Sequence, residues 1–248
     1  MKRTFLFILP LMLSLSEPAA LAQDADELVQ RGLEALGGVK KLKALNSRRL
    51  SGQITVSGGA ASGTFVSTQQ RPNWVRFEAD ILENIIVQAY DGKEVWQIQP
   101  AIAGGSGLPE PMPEEQAKAV LRRADFDGPL VDYKKKGHKI ELVGQEEIGG
   151  NPVYHLKLSL KQGSDIHYFM DAKTYLVHKT IITQFSPLTG SKDEFDVLSS
   201  DYREVDGIQV AHSIETLSRG TSVNQLKIEK VEFNVETDPK SFTRPESE

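Results

Sequence analysis

The chain has 248 residues, 39% hydrophobic and 25% charged, a globular composition with enough apolar content for a sizeable core, which excludes intrinsic disorder, collagen and multispan membrane architectures. A net charge of −5 offers no bulk basicity for nucleic acid, and the short clusters Lys40-Lys41, Arg48-Arg49 and Lys134-Lys135-Lys136 read as solvated surface. The lack of cysteine excludes disulfides, Cys-ligated zinc, thiol nucleophiles and lipid attachment on sulfur.

Lys2-Arg3, the apolar run Phe5 to Leu15 and the small-residue sequence Ala20-Leu21-Ala22 predict an export signal over residues 1–22, cleaved after Ala22. Pro10 interrupts the run, which is shorter than the roughly 20 residues of a membrane span. The remainder, 23–248, is expected to form a single exported, soluble, non-lipidated domain. Asp24 and Glu27 stand at capping-box spacing, and Ala25, Leu28, Val29, Gly32, Leu33 and Leu36 then share one helical face. Gly37-Gly38 closes this helix, and a second short helical piece is expected over Val39 to Leu45.

From Leu50 to Ile98 the period changes to two, and five strands are predicted between the breaks at Gly58-Gly59, Arg71-Pro72, Leu82-Glu83 and Asp91-Gly92. Ala101 to Pro113 carries too many glycines and prolines for a strand or helix and reads as a flexible crossover. It leads into a helix starting at Glu114-Glu115 whose apolar face is Ala117, Val120, Leu121 and Ala124, with Arg122-Arg123 placed to favour the helix dipole. After a loop over Asp125 to Gly137, seven more strands are predicted: His138-Glu147, Pro152-Lys161, Asp165-Met170, Tyr175-Phe185, Glu194-Arg203, Ile208-Leu217 and Val223-Val235. Gly149-Gly150-Asn151, Gln162-Gly163-Ser164, Asp206-Gly207 and Arg219-Gly220 sit where hairpin turns belong.

The expected fold is therefore mainly β, of the α+β class: one curled antiparallel sheet of about eleven or twelve strands forming an incomplete β-barrel, with helices on its concave face. No strand alternates with a helix, which argues against a doubly wound nucleotide-binding sheet. Two helices cannot fill a large half-barrel, so counting alone predicts a residual apolar cavity.

Catalytic motifs are missing from the sequence. There is no Gly-x-Ser-x-Gly elbow, His-Glu-x-x-His pair, P-loop or Gly-x-Gly-x-x-Gly fingerprint, and carboxylate pairs such as Asp193-Glu194 alternate faces on a strand. His167 and His178 face each other in one register of their hairpin and point apart in the next; neither register supplies a third metal ligand. The apolar residues say more. Trp74, Phe77, Tyr90 and Trp96 gather within one stretch, and Leu156, Leu158 and Leu160 line one face of a later strand. Ordinary core and a ligand cavity would be built from the same residue types.

Gly63-Thr64-Phe65, Arg71-Pro72-Asn73-Trp74-Val75-Arg76-Phe77, Asp91-Gly92-Lys93-Glu94-Val95-Trp96 and Pro100 resemble, in order and spacing, the LolA family of periplasmic lipoprotein carriers. Val143-Gly144-Gln145-Glu146, Tyr154-His155-Leu156, Met170-Asp171-Ala172-Lys173-Thr174 and Tyr202 with Asp206-Gly207-Ile208 are similar to the wider outer-membrane lipoprotein-sorting superfamily. The resemblance implies a helix-covered half-barrel, no enzymatic chemistry, no cofactor and no metal. Its function would be a periplasmic carrier for the acyl chains of a lipoprotein or another amphiphile on the way to the outer membrane. An inner-membrane donor complex and an outer-membrane acceptor would be its partners.

On that reading Trp74, Phe77, Trp96, Ile98, Val120, Leu121, Leu156 and Leu158 are the candidate acyl-binding residues. Arg71, at the position of the family's Arg-Pro motif, is the candidate for holding the helical lid closed. A sensor or scaffold of the same fold that binds an envelope protein is the alternative. The missing lipid-attachment cysteine sets the chain apart from LolB, the membrane-anchored receptor of the same system.

Overall fold

The computed structural model describes residues 24–186 and 189–246; the export signal expected over 1–22 lies outside them. Helix α1 spans Ala25–Ala35. Asp24 caps it by accepting from the Asp26 amide at 3.3 Å, while Glu27 pairs with Arg31 at 2.5 Å instead of completing a capping box. Gly37 and Gly38 end it, their amides donating to Glu34 and Leu33. At Gly37, φ is +119°, and a Cβ there would come within 2.4 Å of the Gly207 carbonyl, so the helix end docks against a strand turn. Helix α2 follows at Val39–Ala44, and α3 spans Glu114–Ala124.

The first group of strands is β1 (Ser47–Val56), β2 (Ala61–Gln70), β3 (Trp74–Ile81), β4 (Asn84–Tyr90), β5 (Val95–Ile98) and β6 (Glu110–Pro111). The second is β7 (Lys139–Ile148), β8 (Asn151–Ser159), β9 (Asp165–Asp171), β10 (Val177–Ser186), β11 (Ser191–Val205), β12 (Ile208–Ser218) and β13 (Thr221–Phe233). All belong to one antiparallel sheet ordered β6-β5-β4-β3-β2-β1-β13-β12-β11-β10-β9-β8-β7. Every neighbour in it is a sequence neighbour except β1 and β13, and the sheet ends at β6 and β7 without closing.

The twelve predicted strands are present, and β6 is a thirteenth. Its two residues lie in the glycine- and proline-rich crossover, where breaker composition hid them, and they pair with Trp96 and Gln97 of β5. That crossover is also more ordered than its composition suggested. Residues Ala101–Ala103 form a 3-10 turn, and the Gly105 and Gly107 amides donate to Pro100 and Gln99.

Curvature follows from what α3 touches. It packs against β3, β4 and β5 and also against β10, strands on opposite sides of the β1–β13 junction, so the sheet wraps around it. Directly opposed residues of antiparallel strands share a face, which lets the two faces be traced across the sheet. Val75, Tyr90 and Val95 are opposed in turn and pack on Met112, Ala117 and Val120, so they belong to the concave face. Helix α1 covers the other end of that face, where Leu28, Val29 and Leu33 pack on Leu156, Leu158, Ile166, Tyr168 and Met170. Between the two, Ile54, Phe65, Ala79 and Ile228 form a third concave cluster.

Architecture of the candidate lipid-binding site

The eight candidate acyl-binding residues divide by face. Arg76, Ala89 and Trp96 are opposed in turn, one residue out of step with the concave series, so Trp74, Trp96 and Ile98 lie on the convex face. There the C-terminal segment covers them: Phe242 stacks on Trp74 at 5.5 Å, and its carbonyl accepts from Trp96 Nε1 at 2.7 Å. Alternation puts Trp74 and Phe77, three residues apart on β3, on opposite faces, but does not say which face looks inward, so pattern alone could not choose between them.

Phe77, Val120, Leu156 and Leu158 are concave. Phe77 stacks on Phe65 at 5.9 Å, Val120 is 1% exposed under α3, and Leu156 and Leu158 are fully buried beneath α1. These four are packed against other side chains and line neither cavity described below. Leu121 is 43% exposed and borders the second of them.

The first cavity, of about 420 Å³, lies between the helices and the middle of the concave sheet. Its roof is Leu33 of α1 and Leu36 just after it, Leu42 of α2 and Leu45 just after it, and Phe126 to Leu130 from the segment after α3. Its floor is Leu50 of β1, Val177 of β10, Tyr202 of β11, Ile214 of β12 and Phe233 of β13. Tyr168 and Tyr202 stand on this floor, and burial pushes both phenols up, Tyr202 to about 12. The Tyr202 hydroxyl donates to the Val177 carbonyl at 2.7 Å, which turns its polar end into the backbone.

Arg71 joins the roof elements to one another. Its Nε donates to the Leu45 carbonyl at 2.6 Å and Nη2 to the Leu42 carbonyl at 3.4 Å, while Nη1 and Nη2 form a two-pronged pair with Asp127 at 2.8 and 2.5 Å. The guanidinium also lies 4.6 Å from the Phe126 ring centre. One side chain from the β2–β3 turn thus ties the end of α2 to the segment after α3. The Arg71 guanidinium holds the Asp127 carboxyl below its ordinary value, chiefly through this hydrogen bonding.

Arg48 also faces this cavity, which corrects its reading as solvated surface. It opposes Gln69 and Phe233 on the concave face, while Arg49 points the other way. Its Nε donates to Gln69 Oε1, and its guanidinium lies 5.4 Å from the Phe126 ring centre. Arg122 and Arg123 likewise turn inward, donating to the amide oxygens of Gln184 at 2.7 Å and Gln88 at 2.5 Å. Burial pushes Arg48 down to about 10. Lys136, from another cluster read as surface, bridges Asp125 at 2.6 Å and the Gly128 carbonyl at 2.7 Å beneath the roof.

A second cavity, of about 530 Å³, lies between α3, the β8–β9 hairpin and β10–β11, with Leu121, Arg122 and Phe185 beside Glu115, Lys118 and Lys192. Its wall is more polar than that of the first. On the convex face, His155 Nε2 lies 2.8 Å from His167 Nδ1, and His155 Nδ1 lies 2.6 Å from Glu146 Oε1. Ile181, not His178, stands opposite His167, so the two histidines do not face each other across the hairpin. Among the described residues no three His, Asp or Glu groups are arranged to share a metal ion.

Comparison with known proteins places this architecture. The chain resembles a LolA superfamily protein from Nitrosomonas europaea, with TM-score 0.59 and 13% identity over 90% of this chain and 98% of that one. It also resembles a DUF1329 family protein from Desulfovibrio piger, with TM-score 0.57 and 12% identity over 88% and 97%. A third likeness is to a domain assigned to outer membrane lipoprotein sorting from Vibrio parahaemolyticus, with TM-score 0.52 and 10% identity over 86% and 97%. No family model matches the sequence, and no curated protein matches it. The fold is LolA-like: an open, helix-covered antiparallel half-barrel. Among the described residues no helix is long and apolar enough to cross a membrane.

Proposed function

We propose that this chain is a non-enzymatic periplasmic carrier that holds the acyl part of a lipoprotein or a related amphiphile for transfer toward the outer membrane. The observation that carries the reading is the apolar cavity of about 420 Å³ enclosed between α1, α2, the 126–130 segment and the concave sheet. Each methylene sheltered there contributes about 0.8 kcal/mol, so an acyl chain gains strongly by leaving water for this wall. An apolar cavity of about 150 Å³ takes up a six-carbon ring, and the larger volume here has room for an acyl chain.

Loading and release require the roof to part from the sheet. Arg71 is the latch in this account, because its guanidinium is the tie between the Leu42–Leu45 turn and Asp127. The inward-facing residues Phe77, Val120, Leu156 and Leu158 act as the packed frame around the cavity. A donor at the inner membrane and an acceptor at the outer membrane complete the cycle.

The test is uptake of a fluorescent acyl probe. Wild type is expected to bind it, and Ile214→Trp, which enlarges a side chain of the cavity floor, to lose binding while keeping its circular dichroism. Failure of wild type to bind, or equal binding by a folded Ile214→Trp variant, would contradict the carrier reading.

A further inference from the structure

The proposed acyl cavity contains a cation, Arg48, near Asp127 and Asp125 but paired directly with no carboxylate among the described residues. Arg48 lines the wall, yet no carboxylate among the described residues lies within ion-pairing distance of it. Asp127, the acidic residue on the cavity wall, spends both oxygens on Arg71, and neighbouring Asp125 is held by Lys136 at 2.6 Å. The bonded partner of Arg48 is the side-chain oxygen of Gln69, which engages Nε and leaves the outer nitrogens Nη1 and Nη2 without a protein acceptor among the described residues. Gln69 is itself positioned by donating to the Arg123 carbonyl at the end of α3. A guanidinium in an apolar wall is costly unless an anion meets it. Its planar fork matches the two oxygens of a carboxylate or phosphate. The centre of the Phe126 ring in the roof lies 5.4 Å from the guanidinium carbon.

Resting on the carrier reading, we propose that the cavity takes a single-chain amphiphile with an anionic oxygen head group, a carboxylate or a phosphate, whose oxygens bind the Nη atoms of Arg48 while its chain lies along Leu50, Ile214 and Phe233. The cavity size agrees with one chain, and Arg48 stands where the Phe126 segment of the roof meets β1, so head group and chain enter one space.

Binding of dodecanoate, dodecyl phosphate and dodecanol to the purified protein, measured by calorimetry at constant ionic strength, tests this. Wild type is expected to bind one or both anions at least about tenfold more tightly than the alcohol. Arg48→Met is expected to erase that ratio, and Arg48→Lys, which keeps the charge but loses the two-pronged fork, to retain only part of it. Inorganic phosphate at millimolar concentration is expected to leave dodecanoate binding unchanged; displacement would mean a free-anion site and overturn the proposal. Equal binding of alcohol and anions by wild type overturns the inference while the carrier reading stands, and this comparison needs no variant to fold. Binding of none of the three dodecyl compounds overturns both.

Discussion

Arg71 makes four hydrogen bonds to two roof elements, so its loss acts on how readily the roof moves. Hydrogen bonds to charged groups contribute about 1.5–3 kcal/mol each in net terms, and the partly exposed partners here recover some of that from water. Arg71→Leu is therefore expected to speed release of a bound acyl probe by about tenfold or more and to lower the melting temperature at least as much as breaking the pair from the Asp127 side; unchanged release rates in stopped-flow displacement would refute the latch. Asp127 gives the same contact a pH signature. Its folded pKa lies below the ordinary 3.8, so the pair stabilises the fold above that value and the contribution is lost as pH falls through the lower folded one. The melting-temperature gap between wild type and Asp127→Asn should persist at neutral pH and close below pH 3.8. Arg71 was legible because it sits in a motif block with a family precedent. Arg48 was not: adjacent arginines on a strand point to opposite faces, and only the register with Gln69 and Phe233 shows which one turns inward.

At the scale of elements, α1 and α3 do different work on the concave face. Helix α1 fills its end: Leu28, Leu156 and Leu158 are fully buried, and a Cβ on Gly32 would approach Met170 Cε to 2.6 Å and the Tyr175 carbonyl to 3.3 Å. Leu156→Ala should cost about 2–5 kcal/mol of stability, measured by denaturant unfolding, with acyl-probe affinity nearly unchanged; a large affinity loss in the folded variant would place Leu156 in the binding wall. Both helices were readable from the 3.6 period and their end signals, because Asp24, Gly37 and Pro113 mark boundaries by local chemistry. What α3 touches was not readable. Arg122 and Arg123, placed by sequence at a helix terminus for the dipole, reach glutamines on β10 and β4, contacts set by the curl of the sheet.

For the whole molecule, the decisive feature is an open sheet whose chain halves meet at β1 and β13 while α3 bridges β3–β5 and β10 inside the curve. Strand count and hairpin spacing made this legible, since turn chemistry is local, and counting two helices against so wide a sheet pointed to a cavity. Its position was not legible, because it depends on which stretches of the concave face the helices leave uncovered. Phe242, fully buried against both tryptophans, closes the convex face. Phe242→Ala should cost about 3–5 kcal/mol and shift tryptophan emission to the red, a clean readout because the chain's two tryptophans both lie there. Unshifted emission would mean that the C-terminal segment does not shield them.

The carrier account is tested most directly by native mass spectrometry of the protein purified from its own cell envelope, followed by solvent extraction. It predicts a protein population heavier by the mass of one acyl-bearing compound, which extraction removes and identifies. An empty protein that also refuses added acyl probes would contradict it.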